Sequence, residues 1–326
     1  MSIGHVTLAP VVVERVFAAL QAPVEVGPRP LTVGASLGVA YWDGTATASE
    51  LLRNADLAMY RAKASGRGRS AVYDAGMQRA ARERLELASD LREAIRDGSV
   101  TAAFQPIVEI ASGRVVKAEA LARWRHPVRG SVPPSLFVPL AEEMGLIEEL
   151  GALMLRHGCE RLRLYEPHGI GVTVNVSGRP VEGGGLARAV GAALAASGAA
   201  AGGLTLEITE SVAMRQPEVV LGVLAEVAAL GVGLAIDDFG TGYSSLAYLH
   251  RFPMNVLKID RSFVSALDAE PADAHAATLV RTMVSIATSL GLEAVAEGVE
   301  TQAQRDALAA LGCQFAQGYL FGRPVE

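Results

Sequence analysis

The sequence predicts an α/β fold: a TIM-like (β/α)8 barrel whose first strand runs antiparallel to the others, preceded by a partial α+β segment. Three observations predict it. Short, continuously apolar runs recur along most of the chain, separated by stretches long enough for one helix and its loops. That is the pattern of a parallel sheet buried on both faces. Each run ends in a carboxylate, a lysine or an amide, and in a closed barrel the carboxyl ends of the strands converge on one mouth. The first two runs, FQPIVEI and VVKAEALARW, are joined only by a turn at Ser112-Gly113-Arg114. Such a turn closes an antiparallel hairpin, whereas parallel neighbours need a crossover.

In chain order, a helix near Val11–Leu20 ends before Pro23, Pro28 and Pro30. Leu31–Trp42 alternates like a strand. Ser49–Ala64 reads as a helix with Ser49 as N-cap and Gly66 as its stop, and Ser70–Asp74 is a last short strand. Residues 1–73 are too few for a comfortable independent core and are expected to be a remnant. Residues 74–98 form a connecting helix closed by Gly98. Its Arg79, Arg82 and Arg84 sit among Glu83, Glu86 and Asp90, as on a solvated face. Residues 99–326 carry the barrel. No residues follow FAQGYLFGRPVE to make a helix over the last strand, so a less stable barrel, or a piece of a longer chain, is expected.

Composition sets further bounds. Of 326 residues, 50% are hydrophobic and 20% charged, enough apolar material for a packed core. A net charge of −6 provides no electrostatic footprint for duplex nucleic acid, so an anionic substrate needs metals or particular arginines. Cys159 and Cys313 lie outside any CxxC pattern and read as buried, reduced thiols. The chain has neither an apolar run of about 18 residues nor a secretory start; a cytoplasmic location without membrane insertion is expected.

The run-end residues are Glu119, Asn175, Glu207, Asp237 with Asp238, Lys258, Glu297 and Gln317. An isolated strand-end carboxylate is ordinarily a helix cap or half of a surface ion pair. Five in one mouth would repel and raise one another's pKa values, a penalty that bound cations remove. Hard oxygen donors suit Mg2+ or Mn2+ rather than zinc or copper, and two such ions suit phosphodiester hydrolysis. No histidine cluster or nucleophile elbow points to zinc or serine hydrolase chemistry; His126, before Pro127, reads as structural.

These residues sit in ordered motifs: Glu119-Ala120-Leu121, QPIV at Gln105–Val108, ARWRHP, NVS, LEITES, DDFGTGYSSL, KID, EGVE and QGYLFGRP. With them the chain from about Leu85 to Glu326 resembles the EAL family of cyclic dimeric GMP phosphodiesterases. Residues 1–73 resemble the back half of a GGDEF (diguanylate cyclase) domain through TVGASLGVAYW and ADLAMYRAKASGRGR. The GGDEF signature loop and the front half with its metal-binding aspartates are absent, so no cyclase activity is expected. Lys63 and Arg67 match triphosphate-contacting positions but lack their partners here, and are expected to be solvent-exposed.

The resemblance implies roles for individual residues. Glu119, Asn175, Glu207 and Asp237 would hold a first ion, with Asp237 bridging to a second held by Asp238 and Glu297. Lys258 would orient the attacking water; strand alternation also allows an ion pair with Asp260. Glu297 could be the base for that water or a metal ligand. Arg123 would contact a substrate phosphate, or pair outward with an acid, and Gln105 and Gln317 would serve as polar contacts. Glu210 matches the position that braces DDFGTGYSSLAYL, where Gly240 and Gly242 allow tight backbone and Ser244 and Ser245 can cap the next helix. In the family this loop links metal binding to dimer contacts, so a homodimer through the barrel is expected. The activity implied is metal-dependent hydrolysis of cyclic di-GMP to pGpG. A catalytically silent cyclic di-GMP receptor is the alternative. A glycosidase carboxylate pair would leave Asn175, Lys258 and the Asp237–Asp238 pair unexplained.

Overall fold

The computed structural model describes residues 9–22, 24–26, 29–31, 33–66, 68–242, 246–268 and 275–326; Arg67, Ser244 and Ser245 lie outside them. The chain divides into two compact units, Met1–Asp90 and Leu91–Glu326.

In the first unit a helix, Ala9–Gln21, precedes strands β1 (Val24–Val26) and β2 (Arg29–Leu31), which pair antiparallel. Strands β3 (Leu37–Val39) and β4 (Ser70–Val72) pair parallel around the helix Ala48–Ala64. The strand expected over Leu31–Trp42 is therefore much shorter at its paired part, because β4 offers a ladder of only three residues. The expected cap also moves. Thr47, not Ser49, caps the helix: its hydroxyl accepts from Glu50 N and the Glu50 carboxylate accepts from Thr47 N at 2.8 Å. This reciprocal box satisfies two helix-end donors that a Ser49 cap would leave open. The helix Ala75–Asp97 follows and stops at Gly98, as expected.

The second unit is the barrel. Its strands are β5 (Val100–Glu109), β6 (Val115–His126), β7 (Gly130–Val132), β8 (Gly171–Asn175), β9 (Leu204–Thr209), β10 (Gly233–Phe239), β11 (Val256–Ile259), β12 (Glu293–Ala296) and β13 (Phe315–Gln317). The order around the sheet is β5-β13-β12-β11-β10-β9-β8-β6, and β5 closes it by pairing with β6. Strand β7 lies outside the ring, paired antiparallel to the end of β6. As the tight turn predicts, β5 runs antiparallel to β6 and β13, and the other ring pairings are parallel. The C-terminal tail returns to β5, where Phe104 N and Val325 N donate to each other's carbonyls at 2.6 and 3.0 Å.

The main core lies between the ring and its helices. Val172 and Val174 on β8, Leu204, Leu206 and Ile208 on β9, and Leu234 and Ile236 on β10 are fully buried. They face helical residues such as Leu162, Val220, Leu224 and Val227, also fully buried. Each such side chain contributes about 1.5–3 kcal/mol relative to exposure, so this layer can support polar groups on the opposite faces of the same strands.

Candidate active site

Side chains alternate across a strand, so burying one face against helices turns the other into the barrel. Glu119 on β6, Asn175 on β8, Glu207 on β9, Asp237 on β10, Lys258 on β11 and Gln317 on β13 share that inner side, and Glu297 follows β12 directly. Register does the rest: Gln105 stands opposite Glu119, and Asn175 opposite Glu207. The expectation that each such residue ends its strand is corrected in part. Lys258 is followed by another β11 residue, and Glu119 lies well inside the 12-residue β6. The ladder runs on because β6 continues upward to pair with β5 and β7.

Lys258 is the centre of the arrangement. Only 1% exposed, its Nζ lies 2.5 Å from Glu297 Oε1, 2.7 Å from Glu207 Oε2, 3.4 Å from Asp237 Oδ1 and 3.7 Å from Glu119 Oε2. The alternative pairing with Asp260 is not what forms. Asp260 has left the strand, and its carboxylate caps the helix Arg261–Ser265 by accepting from Ser262 N at 3.0 Å. Burial works against the charge on Lys258, but Glu119, Glu207, Glu297 and Asp237 outweigh it and hold the pKa well above that of an ordinary lysine.

The carboxylates are not equivalent. Burial pushes Glu207 well above the usual carboxylate range, with Glu119 and Asp237 adding to the effect and Lys258 opposing it. Burial also pushes Glu297 up to about 7, aided by Asp237 and Glu119 against Lys258. Glu119 goes the other way. Its burial is offset by Lys258 and by two amide donors: Asn175 Nδ2 donates to one oxygen and Gln317 Nε2 to the other, both at 2.6 Å. Gln317 Nε2 is also 3.1 Å from Gln105 Oε1, and Gln105 Nε2 donates to Gly322 O at 3.1 Å. The two glutamines thus form a chain that fixes Glu119.

Asp237, Asp238 and Glu297 each present an oxygen within 4.8 Å of the others. Asp238 takes a left-handed backbone, φ 54°, uncommon outside glycine. Its N–H donates to Asp237 Oδ1 at 3.0 Å, and its carbonyl accepts from Thr241 Oγ1 at 2.8 Å. That local cost, about 1–3 kcal/mol, brings two adjacent carboxylates toward one space. Glu210, 1% exposed, holds the backbone two residues on: its Oε2 accepts from Gly240 N at 2.9 Å. The donor set therefore fits a divalent cation on its own chemistry. Hard oxygens converge, one lysine is shared among four carboxylates, and two of those acids are held above their ordinary pKa by crowding and burial.

Arg123 is not brought into this cluster. It is half-buried, and its Nη1 donates to Ala122 O at 2.9 Å. His126 is structural, as read: its Nδ1 accepts from Val128 N and Arg129 N, each at 3.1 Å. One positioning residue escaped the sequence reading. A Cβ on Gly318, next to Gln317, would fall 2.0 Å from Val299 O and 2.3 Å from Val299 N. Only the glycine within QGYLFG hinted at it. Gly318→Ala is expected to lower stability by about 1–3 kcal/mol through overpacking and to loosen the Gln317–Glu119 bond; chemical denaturation measures the first.

Comparison with known proteins decides the family. A model described as EAL domain matches residues 88–324. The chain belongs to the EAL-domain family. Ahead of the EAL barrel, a model described as diguanylate cyclase, GGDEF domain matches residues 5–69, so that domain is partial. The EAL chain is 40% identical over 316 residues to the bifunctional diguanylate cyclase/cyclic di-GMP phosphodiesterase MucR of Pseudomonas aeruginosa, covering 96% of this chain and 46% of MucR. It is 38% identical over 317 residues to the cyclic di-GMP phosphodiesterase NbdA of the same organism, covering 96% of this chain and 40% of NbdA. It thus spans less than half of either relative. The solved PaMucR phosphodiesterase in complex with c-di-GMP superposes with TM-score 0.70 at 42% identity, over 74% of this chain and 97% of that one. The EAL enzyme Bd1971, in its cAMP and cyclic-di-GMP bound form, gives TM-score 0.72 at 26% identity, over 87% of this chain and 74% of that one. Among the described residues of the EAL chain, no helix is long and apolar enough to cross a membrane.

Proposed function

We propose that this EAL barrel hydrolyses cyclic di-GMP to linear pGpG with two bound Mg2+ or Mn2+ ions. The observation that carries the reading is the convergence of Glu119, Glu207, Asp237 and Glu297 on Lys258, beside the open Asp237–Asp238–Glu297 cluster. The curated relatives named as cyclic di-GMP phosphodiesterases, and the PaMucR structure with c-di-GMP, support the choice of substrate.

Glu119, Asn175, Glu207 and Asp237 would hold one ion, and Asp237, Asp238 and Glu297 the other. When bound, such ions acidify a water and stabilise the charge building on the phosphoryl group and the leaving oxygen. The residues do the remainder. Lys258 holds Glu207, Asp237 and Glu297 at fixed distances and directs the water at phosphorus. Glu297, with a pKa near neutrality in the ion-free protein, is suited to take a proton from the attacking water or to serve as an ion ligand. The water oxygen bonds to phosphorus and gives up its proton to Glu297 or to solvent, the bond to one ribose 3′ oxygen breaks in line, and that oxygen takes up a proton from solvent. Gln105 and Gln317 keep Glu119 oriented, and Arg123 would receive a substrate phosphate. The barrel would work as a homodimer, with the loop from Asp237 braced by Glu210.

Purified chain incubated with cyclic di-GMP and Mn2+ should release pGpG, and Glu119→Ala should slow that release by about a hundred- to a thousandfold, the range of lost charge stabilisation at such sites. Binding of cyclic di-GMP without release of pGpG would instead identify a silent receptor. Glu210→Ala removes a charge-assisted bond worth about 1.5–3 kcal/mol. It should weaken Mn2+ binding by about tenfold or more in calorimetry; wild-type affinity would rule out the bracing role.

A further inference from the structure

The barrel closes unevenly beside Glu119. Strand β5 is 10 residues long but β13 only 3, and the ladder between them reaches no further along β5 than Ile107. Because β5 runs against the other ring strands, its residues before Ile107 extend past the end of β13 on the side of the mouth. Phe104 lies in that stretch and is 4% exposed, so its backbone N–H and carbonyl need partners within the protein. Val325 supplies both, accepting from Phe104 N at 2.6 Å and donating to Phe104 O at 3.0 Å. Pro106 has no N–H to offer a ladder. There the returning chain packs on the ring instead: a Cβ on Gly322 would fall 2.9 Å from Pro106 Cγ.

Residues 318–326 therefore fasten the site from two sides. On one side is Val299, two residues after Glu297: its N donates to Gln317 O and its carbonyl accepts from Leu320 N, both at 3.0 Å. On the other, Gly322 O accepts from Gln105 Nε2 at 3.1 Å. Gln317 Nε2 in turn donates to Gln105 Oε1 at 3.1 Å and to Glu119 Oε2 at 2.6 Å. Two further contacts stiffen the segment. The Arg323 guanidinium lies 4.3 Å from the centre of the Tyr319 ring, and Glu326 Oε1 lies 2.9 Å from Arg125 Nη2 on β6. That ion pair is exposed and fastens little by itself; the backbone pair with the buried Phe104 is the firmer anchor.

We propose that Gly322–Glu326 is a positioning strap for Glu119. Val325 holds the strap on β5, Gly322 holds Gln105 by its carbonyl, and Gln105 with Gln317 sets the direction of the carboxylate. Released from Gly322 O, the Gln105 amide is free to turn, and Gln317 loses the acceptor that orients it. Removing a bond that orients a metal ligand from behind ordinarily costs about 10–100-fold in metal affinity. The strap acts one bond further back, so the lower end of that range applies. Its effect on ions rests on the reading of Glu119 as a ligand; its hold on the two glutamines does not.

Calorimetric Mn2+ affinity of the full chain tests the strap. Val325→Pro removes the N–H that bonds Phe104 O and should weaken Mn2+ binding by about tenfold. Val325→Ala keeps both backbone bonds and should stay within about twofold of the wild type. With Gln105→Ala already in place, Val325→Pro should change the affinity by less than about twofold, because the strap acts through that side chain. Gly322→Ala, whose Cβ meets Pro106, should also weaken binding by about tenfold and serves as the test if the proline variant does not fold. Wild-type affinity in either folded variant overturns the proposal. So does an undiminished effect of Val325→Pro beside Gln105→Ala, the mark of a merely structural role. If the wild type binds no Mn2+, the ion reading fails, and hydrogen exchange of the Gln105 side-chain amide, read by NMR, decides the strap. That exchange should quicken by about tenfold in Val325→Pro; exchange equal to the wild type's overturns the proposal.

Discussion

Lys258→Met is expected to abolish hydrolysis and to destabilise the ion-free protein by about 3–5 kcal/mol, the cost of breaking a buried ion pair by removing one partner. The size follows from what Lys258 touches. Its ammonium is shared by Glu297, Glu207, Asp237 and Glu119 within 3.7 Å, and Glu207 is as buried as Lys258 itself, at 1% exposure. Methionine keeps the unbranched apolar stem, one atom shorter, but leaves these acids facing one another. They can respond only by taking up protons, so the variant's stability in chelator should fall more steeply than the wild type's as pH rises from 5 to 8. Mn2+ supplies positive charge to the same oxygens, so the stability gap should narrow when the ion is added while hydrolysis stays lost. Scanning calorimetry with and without chelator reads both effects. A variant that melts with the wild type in chelator would show that Lys258 does not hold the carboxylates together.

Removing the acid at Glu297 is expected to change the pH dependence of stability and of ion binding in opposite directions. In the folded, ion-free chain the Glu297 pKa is pushed up to about 7, against an ordinary value of 4.5. Between those values the native state holds a proton that the unfolded chain has released. Stability contributed at this position is therefore greatest at or below about pH 4.5 and declines as pH rises toward 7. Subtracting a Glu297→Gln series from the wild type isolates it: the difference should fall through that window and flatten above it. Ion binding has the reverse sign. A divalent cation competes with the proton, so wild-type affinity should climb by up to about tenfold per pH unit below 7 for the proton displaced, then level off. The glutamine variant should bind more weakly, with a shallower climb. Calorimetry in buffers of different ionisation enthalpy counts the released protons, and equal proton release by both proteins would take Glu297 out of the ion site.

Much of the chemistry was readable along the chain because it is local. The turn at Ser112–Arg114 requires a hairpin, and β5 and β6 form one. The apolar runs bury their outer faces, so Glu119, Asn175, Glu207, Asp237, Lys258 and Gln317 turn inward together. What was misread came from interactions that act across the local pattern. Alternation alone put Lys258 and Asp260 on one face, but the strand ends at Ile259 and Asp260 becomes a cap. Ser49 looked like a helix start, but Thr47 has Glu50 in reach to complete a capping box.

The sequence by itself determined the strand–helix alternation, the reversed first strand and the kinds of donor available to the site, because side-chain period and turn length are properties of neighbouring residues. Only the tertiary structure decided that one lysine serves four acids, that two glutamines lock Glu119, and that Asp238 adopts a left-handed backbone. Those outcomes depend on how the ring closes and in what register, which sets distances between residues far apart in the chain.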